Sequence, residues 1–420
     1  MASKELVLKI KRFNSLVKHY FFGHHTVAFN SCPDTARVLA LDSYALGDWP
    51  RLWVDQYSVK GACCICIGYE KKLREPIGGH WATRESETFM YQPKAYPIAL
   101  LFMIGSMLCW GSWANTMKLT PGWPFQLFYW DYVAGIVIAS LFWGLTLGSA
   151  GGGQLTFLNN IRSSDATHIL FALLGGAVFN VANLLLVAAI EIAGLAVAFP
   201  IGIGLALVVG VLLNYIISPQ GNPLLLFGGV LLVALAIVVD ALAYRRRETT
   251  RRALGARGIQ ISLACGILMG SFYPLVTKAI TGQNSLGPYA VAFFFAIGVA
   301  ICAVPANYLL MRKPLTGGAP VSMSDYTKSP GLWHFWGILG GVIWCTGAVL
   351  NFVASHAQII GPAISYAIGQ GATMVSAIWG VFVWKEFASA PANARKLIPL
   401  MFGFFLVGLA AVALAPVISK

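Results

Sequence analysis

From residue 96 onward the chain alternates between long apolar stretches and short polar breaks. Ten stretches stand out, at about 96–115, 127–147, 167–190, 194–217, 223–243, 258–280, 287–310, 331–354, 358–383 and 397–417. Each approaches the roughly 20 apolar residues that a helix needs to cross a bilayer core. Helices are the expected spanning element because each satisfies its own backbone groups in lipid. Continuous apolar runs exclude a membrane barrel, whose shorter strands alternate with a polar lumen face. The pattern predicts an all-α polytopic membrane protein with ten transmembrane helices.

The runs fall into two groups of five. Gly194 to Gly210 (GLAVAFPIGIGLALVVG) and Gly361 to Ala377 (GPAISYAIGQGATMVSA) are related by a shift of 167 positions, which aligns Gly194 with Gly361, Phe199 with Tyr366, Ile201 with Ile368, Gly202 with Gly369 and Gly204 with Gly371. Gly175-Gly176 in the third run similarly answer Gly340-Gly341 in the eighth. An odd number of spans per half turns the halves over relative to each other. The expected organisation is two inverted five-helix repeats, 90–244 and 258–420, joined by an Arg-rich linker at 245–257. Gly202, Gly204, Gly369 and Gly371 are expected to let the fourth and ninth spans approach closely. Lys118 and Lys278, a symmetric pair near helix ends, suit gating or simple snorkelling. Residues 1–89 differ: they mix charges of both signs, carry His19, His24, His25 and His80, and lack a 20-residue apolar run. They read as an N-terminal extension, either disordered or an over-long gene model, with a small accessory domain as the alternative.

Composition agrees with the pattern. A mean hydropathy of +0.70, with 57% hydrophobic and 11% charged residues, excludes an ordinary soluble domain. The net charge of +13 sits largely in connections between spans, so it is a topology signal and not a nucleic-acid surface. Arg245, Arg246, Arg247, Arg251, Arg252, Arg257, Arg312, Lys313, Lys328, Lys385, Arg395 and Lys396 all fall on one side. The positive-inside rule places that side in the cytoplasm and both termini outside. The expected location is a bacterial inner (plasma) membrane, with the lipid bilayer as the obligatory partner and a homodimer left open. Cys63, Cys64 and Cys66 form CCIC, without the ligand complement or spacing of a zinc site. Gly151-Gly-Gly-Gln lacks the Lys of a phosphate cradle. No cofactor, metal or enzyme is called for.

Trp110-Gly-Ser-Trp-Ala-Asn-Thr-Met-Lys, Phe128-Tyr-Trp-Asp-Tyr and the AFPIGIG segment at 198–204 resemble the ureide permease family. They resemble, more distantly, the bacterial glucose/rhamnose uptake families of the drug/metabolite transporter superfamily. The likeness runs from about Met90 to Ser419. It implies ten helices in two inverted halves, a central cavity, and proton-coupled uptake of small polar solutes, which in plant members are allantoin and nucleobases such as uracil. Trp384-Lys-Glu is similar to a signature at the same place in the wider superfamily. The short central linker departs from the plant pattern, and no GxxxxGK[ST] is present.

Candidate chemistry follows from polar residues in apolar runs. Asn115, Asn180, Asn183, Asn351 and Gln370 can each donate to and accept from a polar solute, and equally can bond neighbouring helices. Trp110, Trp113, Phe199 and Tyr366 can stack on a solute ring or pack the interior. Glu191, just before the Gly-rich fourth span, and Asp131, among Tyr129, Trp130 and Tyr132, are the candidates for proton coupling. Asp240 reads as solvated or salt-bridged beside Arg245, and Lys385 with Glu386 as a topology and salt-bridge element. The function expected is secondary active transport of a ureide, nucleobase or sugar by alternating access. A polyspecific drug/metabolite exporter and a channel-like or structural membrane protein are the rivals.

Overall fold

A computed structural model describes residues 53–59, 62–68, 90–150, 156–247, 256–315, 318–357 and 359–418. The chain divides into two units, Met1–Thr83 and Arg84–Lys420. In the first, β1 (Trp53–Val59) and β2 (Ala62–Gly68) pair as an antiparallel hairpin. The rest of the 1–89 extension and residues 248–255 of the Arg-rich linker lie outside the described residues.

The second unit contains 10 helices long and apolar enough to cross a membrane. They are α1 (Tyr96–Leu119), α2 (Phe125–Ser149), α3 (Ala166–Ala193), α4 (Pro200–Ile217), α5 (Pro223–Arg247), α6 (Ala256–Ala279), α7 (Pro288–Arg312), α8 (Gly331–His356), α9 (Pro362–Val383) and α10 (Ala392–Leu414). Proline opens several of them, at first-turn positions whose N–H would have no helical partner. At the start of α5 the Asn222 side chain accepts from the Leu224 and Leu225 amides at 3.0 and 3.3 Å. α10 begins ahead of its apolar run because Pro391 starts the turn that carries Arg395 and Lys396.

Both copies of the repeated Gly-rich segment are irregular. Gly194 and Gly361 each adopt φ of 79°, with ψ of 162° and 159°. That left-handed region is open to glycine without steric cost. After Gly194 a single turn (Leu195–Ala198) widens into π geometry over Phe199–Gly204 before regular helix resumes at Leu205. Pro200, which has no N–H to continue the α-ladder, sits in this stretch. In the second copy the helix ends at Gly369 and restarts at Ala372, then finishes in a π turn over Trp379–Val383.

The polarity of the unit is that of a protein in lipid. Leu224 is 84% exposed and Ile216 75%, whereas Asn180, Asn214, Asn307 and Asn351 are buried. α8 lies deepest, with 67% of its central window buried, and α10 is the most peripheral, at 22%. Helices pack chiefly across the halves. α3 lies against α6 and α7, α8 against α1 and α2, and α5 against α10. The glycines repeat this exchange. A side chain at Gly176 would strike the Phe295 carbonyl and stand 2.8 Å from the Val299 nitrogen. A side chain at Gly341 would likewise strike the Tyr132 carbonyl and stand 2.8 Å from the Ile136 nitrogen.

The connections sort to two ends. Lys118 at the end of α1, Arg247 at the end of α5 and Glu386 after α9 meet at one. Near the other, Gln92 Nε2 is 3.0 Å from His356 Nδ1, Asn160 Nδ2 donates to the Ser285 carbonyl at 3.3 Å, and the Asn222 amide donates to the Ala415 carbonyl at 2.8 Å.

Candidate functional site

A cavity of about 250 Å³ lies at the end where Lys118, Arg247 and Glu386 meet. This is just below the usual range for ligand sites, suited to a compact solute. Its walls come from α1, the last turn of α3 at Ile190, α5 and α9. Gly111 and Ala114 keep the α1 wall low, and Ala241, Ala377 and Gly380 do the same on α5 and α9. Asn115, Thr373 and Ser376 supply neutral polar groups.

Ion pairs and hydrogen bonds fix the rim. Lys118 Nζ is 2.6 Å from Glu386 Oε1 and 4.8 Å above the Trp384 ring. Arg247 Nη1 is 3.2 Å from Glu386 Oε2, to which the Tyr244 hydroxyl donates at 2.7 Å. Trp384 Nε1 donates to Asn115 Oδ1 at 2.6 Å, while Asn115 Nδ2 donates to the Ser112 carbonyl at 2.9 Å. Burial alone pushes the Glu386 carboxyl up, but bonds from Lys118 and Tyr244 and the charges of Lys118 and Arg247 outweigh it and hold it below 4.5. Because folding lowers its proton affinity, ionised Glu386 stabilises the protein above that value. The contribution is lost as pH falls through it towards the folded-state value. We expect the melting temperature of purified protein to drop on acidification below 4.5 by less in Glu386→Gln than in wild type. Identical acid limbs would show that the rim bonds contribute nothing. Half-exposed pairs are screened, so the difference should shrink at high salt.

Asp240 stands apart from this network. It is 8% exposed, lines the cavity, and makes no hydrogen bond or ion pair among the described residues. The like-charged Glu386 shares the cavity lining with it. Arg247, which the sequence places two turns further along α5, goes to Glu386 instead.

The other sequence-derived candidates separate into distinct places. Asn115 and Lys118 line the cavity. Asp131 does not: Tyr326 donates to its Oδ1 at 2.6 Å and His334 Nδ1 lies 2.7 Å from its Oδ2. It thereby ties the α7–α8 connection to α2. Glu191 is exposed at the end of α3. Lys278 lies 5.4 Å above the Phe171 ring. Asn351 is saturated within a polar knot, bonded to Tyr273, Ser106 and Ser365. Tyr366 is fully buried, and its hydroxyl donates to the Ala206 and Met269 carbonyls at 3.2 and 3.3 Å. Gln370 is half-buried at the break in α9 and away from the cavity wall. The Phe199 side chain lies outside the described residues. Trp110 Nε1 donates to the Trp344 carbonyl at 3.2 Å, and the Trp113 ring lies 4.7 Å from that of Tyr132. Asn180 and Asn183 are buried in α3.

The expected glycine contacts are only partly where the repeat pointed. Side chains at Gly369 and Gly371 would crowd Trp110 and Met107 of α1, both at 2.6 Å. Gly204 faces open space and Gly202 only ordinary contact. α4 and α9 do meet, but Gly210 accommodates the Tyr366 ring. The close neighbour of the Gly202 carbonyl is Gly266 on α6, where a side chain would stand 2.8 Å away.

The model of the family described as sugar transport protein matches residues 101–417. The chain belongs to the sugar transport protein family. Its relatives include Ureide permease 1 of Arabidopsis thaliana, 24% identical over 389 residues, covering 77% of this chain and 97% of the permease. Ureide permease 2 of the same plant is 22% identical, with coverage of 77% and 98%. Probable glucose uptake protein GlcU of Staphylococcus aureus (strain MRSA252) is 24% identical over 315 residues, covering 73% of this chain and 94% of that protein. One solved crystal structure matches with a TM-score of 0.50 at 16% identity, covering 78% of this chain and 100% of its own, a likeness of fold alone.

As a member of this family the chain is an integral membrane transporter and not an enzyme. The cavity-lining residues that sequence reasoning did not single out as site candidates are Asp240, Tyr244 and Glu386, with Thr373 and Ser376 beside them. A signal for Asp240 was present. It is a carboxyl inside an apolar run (Val238-Val-Asp-Ala-Leu), and an intramembrane ionisable residue is a functional candidate by default. The arginines that follow it suggested neutralisation, and the fold sends Arg247 elsewhere.

Proposed function

We propose that the protein takes up a small neutral polar solute, a ureide, nucleobase or monosaccharide, together with a proton, by alternating access between two inverted halves. The observation that carries this reading is the cavity with Asp240 in its wall. A carboxyl buried without a cation bears its charge only at a desolvation cost, so it is suited to binding a proton when the cavity faces one side and releasing it when exposed to the other. The cross-half packing of α3 and α8 and the matched turns at Gly194 and Gly361 support two related halves that rock against each other. The positive charge of Arg245 to Arg247 at the cavity end supports a cytoplasmic mouth. Its rim, joining Lys118 of the first half to Glu386 of the second, is suited to breaking and re-forming as the halves move.

The test is uptake of labelled glucose, allantoin and uracil into proteoliposomes with and without an imposed pH gradient. Saturable accumulation of one of them that collapses with a protonophore is the expected result. Non-saturating flux indifferent to the gradient would replace this reading with a channel, and net export would replace it with an exporter.

A further inference from the structure

Deeper than the visible cavity, two helices bring together four polar side chains with too few partners. Tyr129 and Tyr132 of α2 and Asn180 of α3 are 0% exposed, and Asn183 is 3% exposed. The Tyr129 hydroxyl donates to Asn180 Oδ1 at 2.8 Å. Asn183 also faces that hydroxyl, but its Nδ2 reaches no acceptor in hydrogen-bonding geometry. Asn180 Nδ2 and the Tyr132 hydroxyl are likewise without partners.

Leaving a buried donor unmade costs on the order of 1–3 kcal/mol, so a packed interior removes such groups unless something uses them. Elsewhere among the described residues the buried asparagines are paired, save the Asn307 Oδ1 atom. Asn351 is saturated by three side chains and a carbonyl. Asn214 donates to the Gly210 carbonyl at 2.7 Å and accepts from Thr277. The α2–α3 cluster is where that rule lapses three times in one place.

Its position gives the unpaired groups a use. Asn183 precedes Ile190, a residue of the cavity wall, by seven positions. Seven residues are two helical turns, so the two share a face of α3 about 10 Å apart. Asn180 lies one turn deeper on an adjoining face. Flat rings close the space around them. Phe179 and Trp344 have ring centroids 4.3 Å apart, Trp344 is held through its carbonyl by Trp110, and Trp113 lies over Tyr132 at 4.7 Å. Trp110 and Trp113 are on α1 and Trp344 on α8, helices that pack together across the halves.

We propose that Tyr129, Tyr132, Asn180 and Asn183 form the inner solute site, closed in the conformation described, and that the visible cavity is its vestibule. The site takes a neutral solute that presents hydrogen-bonding oxygens beside N–H or O–H donors, between aromatic faces. It rests on the transport reading above and adds where the solute is recognised. Opening requires Trp344 and Trp110 to part, which converts a movement between halves into access to the amides.

The test uses Asn183→Leu and Tyr132→Phe in the full-length protein, read by thermal melting with and without glucose, allantoin or uracil and by uptake kinetics. Both variants should melt at or above the wild-type temperature without solute, because each removes an unpaired group. Both should lose the solute-induced shift and raise KM for the transported solute by about tenfold or more. Wild-type transport with KM unchanged in both variants overturns the inner site while leaving the transport reading standing. Lower melting temperatures in both, with uptake falling only in proportion to folded protein, make the cluster structural and overturn it as well. No uptake and no shift for any of the three solutes in wild type overturns the transport reading and this site with it.

Discussion

Asp240→Asn is expected to abolish accumulation driven by a pH gradient while leaving solute exchange down its own gradient intact. The substitution keeps the shape of the side chain and removes its ionisation. It breaks no hydrogen bond or ion pair among the described residues, so folding should survive it. One charge moving across 100 mV is worth about 2.3 kcal/mol, enough to sustain roughly 50-fold accumulation of a neutral solute carried with one proton. In Asp240→Asn that ratio should fall to about one at the same driving force, whereas Asp240→Glu should retain much of it. The groups that line the cavity with this carboxyl are Glu386 and Lys118 at the rim and Tyr244 on its own helix. Glu386→Gln is therefore the necessary companion: it should alter the pH profile without uncoupling. Undiminished gradient-driven accumulation in Asp240→Asn would remove this residue from the mechanism, whatever the fate of the transport reading.

The second large effect is on assembly. Gly341→Ala and Gly176→Ala each place a methyl group against the backbone of the facing helix, at Tyr132–Ile136 and Phe295–Val299 respectively. A backbone carbonyl cannot rotate aside as a side chain can, so the helices must part. Overpacking of this kind costs about 1–3 kcal/mol per site, and more where a whole helix pair is displaced. Gly204→Ala is the matched control, since open space lies where its methyl would stand. It should be neutral or stabilising by up to about 1 kcal/mol through helix propensity. Melting curves and the monodisperse fraction after purification measure all three. Equal behaviour of Gly341→Ala and Gly204→Ala would show that the α2–α8 approach is not what holds the unit together.

The ten spans were legible because a bilayer imposes a long signal on every crossing helix, one that composition alone carries. The match of Gly194 with Gly361 was legible in the repeat, and the fold supplies its reason: each takes a positive φ at the head of a helix, which favours glycine in both copies. Which glycines lie at helix contacts was not. That depends on which face of each helix meets its neighbour, and Gly204, at the end of the π stretch that holds Pro200, faces open space. Charge partners were hidden for a related reason. The groups that hold Asp131 are 195 and 203 positions away along the chain. Asp240 sits close in sequence to three arginines, yet Arg246 donates to the Asn393 carbonyl and Arg247 turns to a carboxylate 139 positions distant. Local sequence showed which residues carry chemistry, and only the fold shows which of them remain available for it.

The exchange of partners between halves bears on how the chain is made. When the first five helices leave the ribosome, α3 has entered the membrane without α6 or α7, its main neighbours, and α1 and α2 without α8. Contacts so distant in sequence form late. Asn180 and Asn183 must therefore wait in lipid or beside an insertion factor until the second half has been synthesised. A ribosome that stalls after Arg247 would release a chain with polar groups on helix faces that nothing yet covers. Such a product would be a target for membrane quality control and not a smaller working transporter.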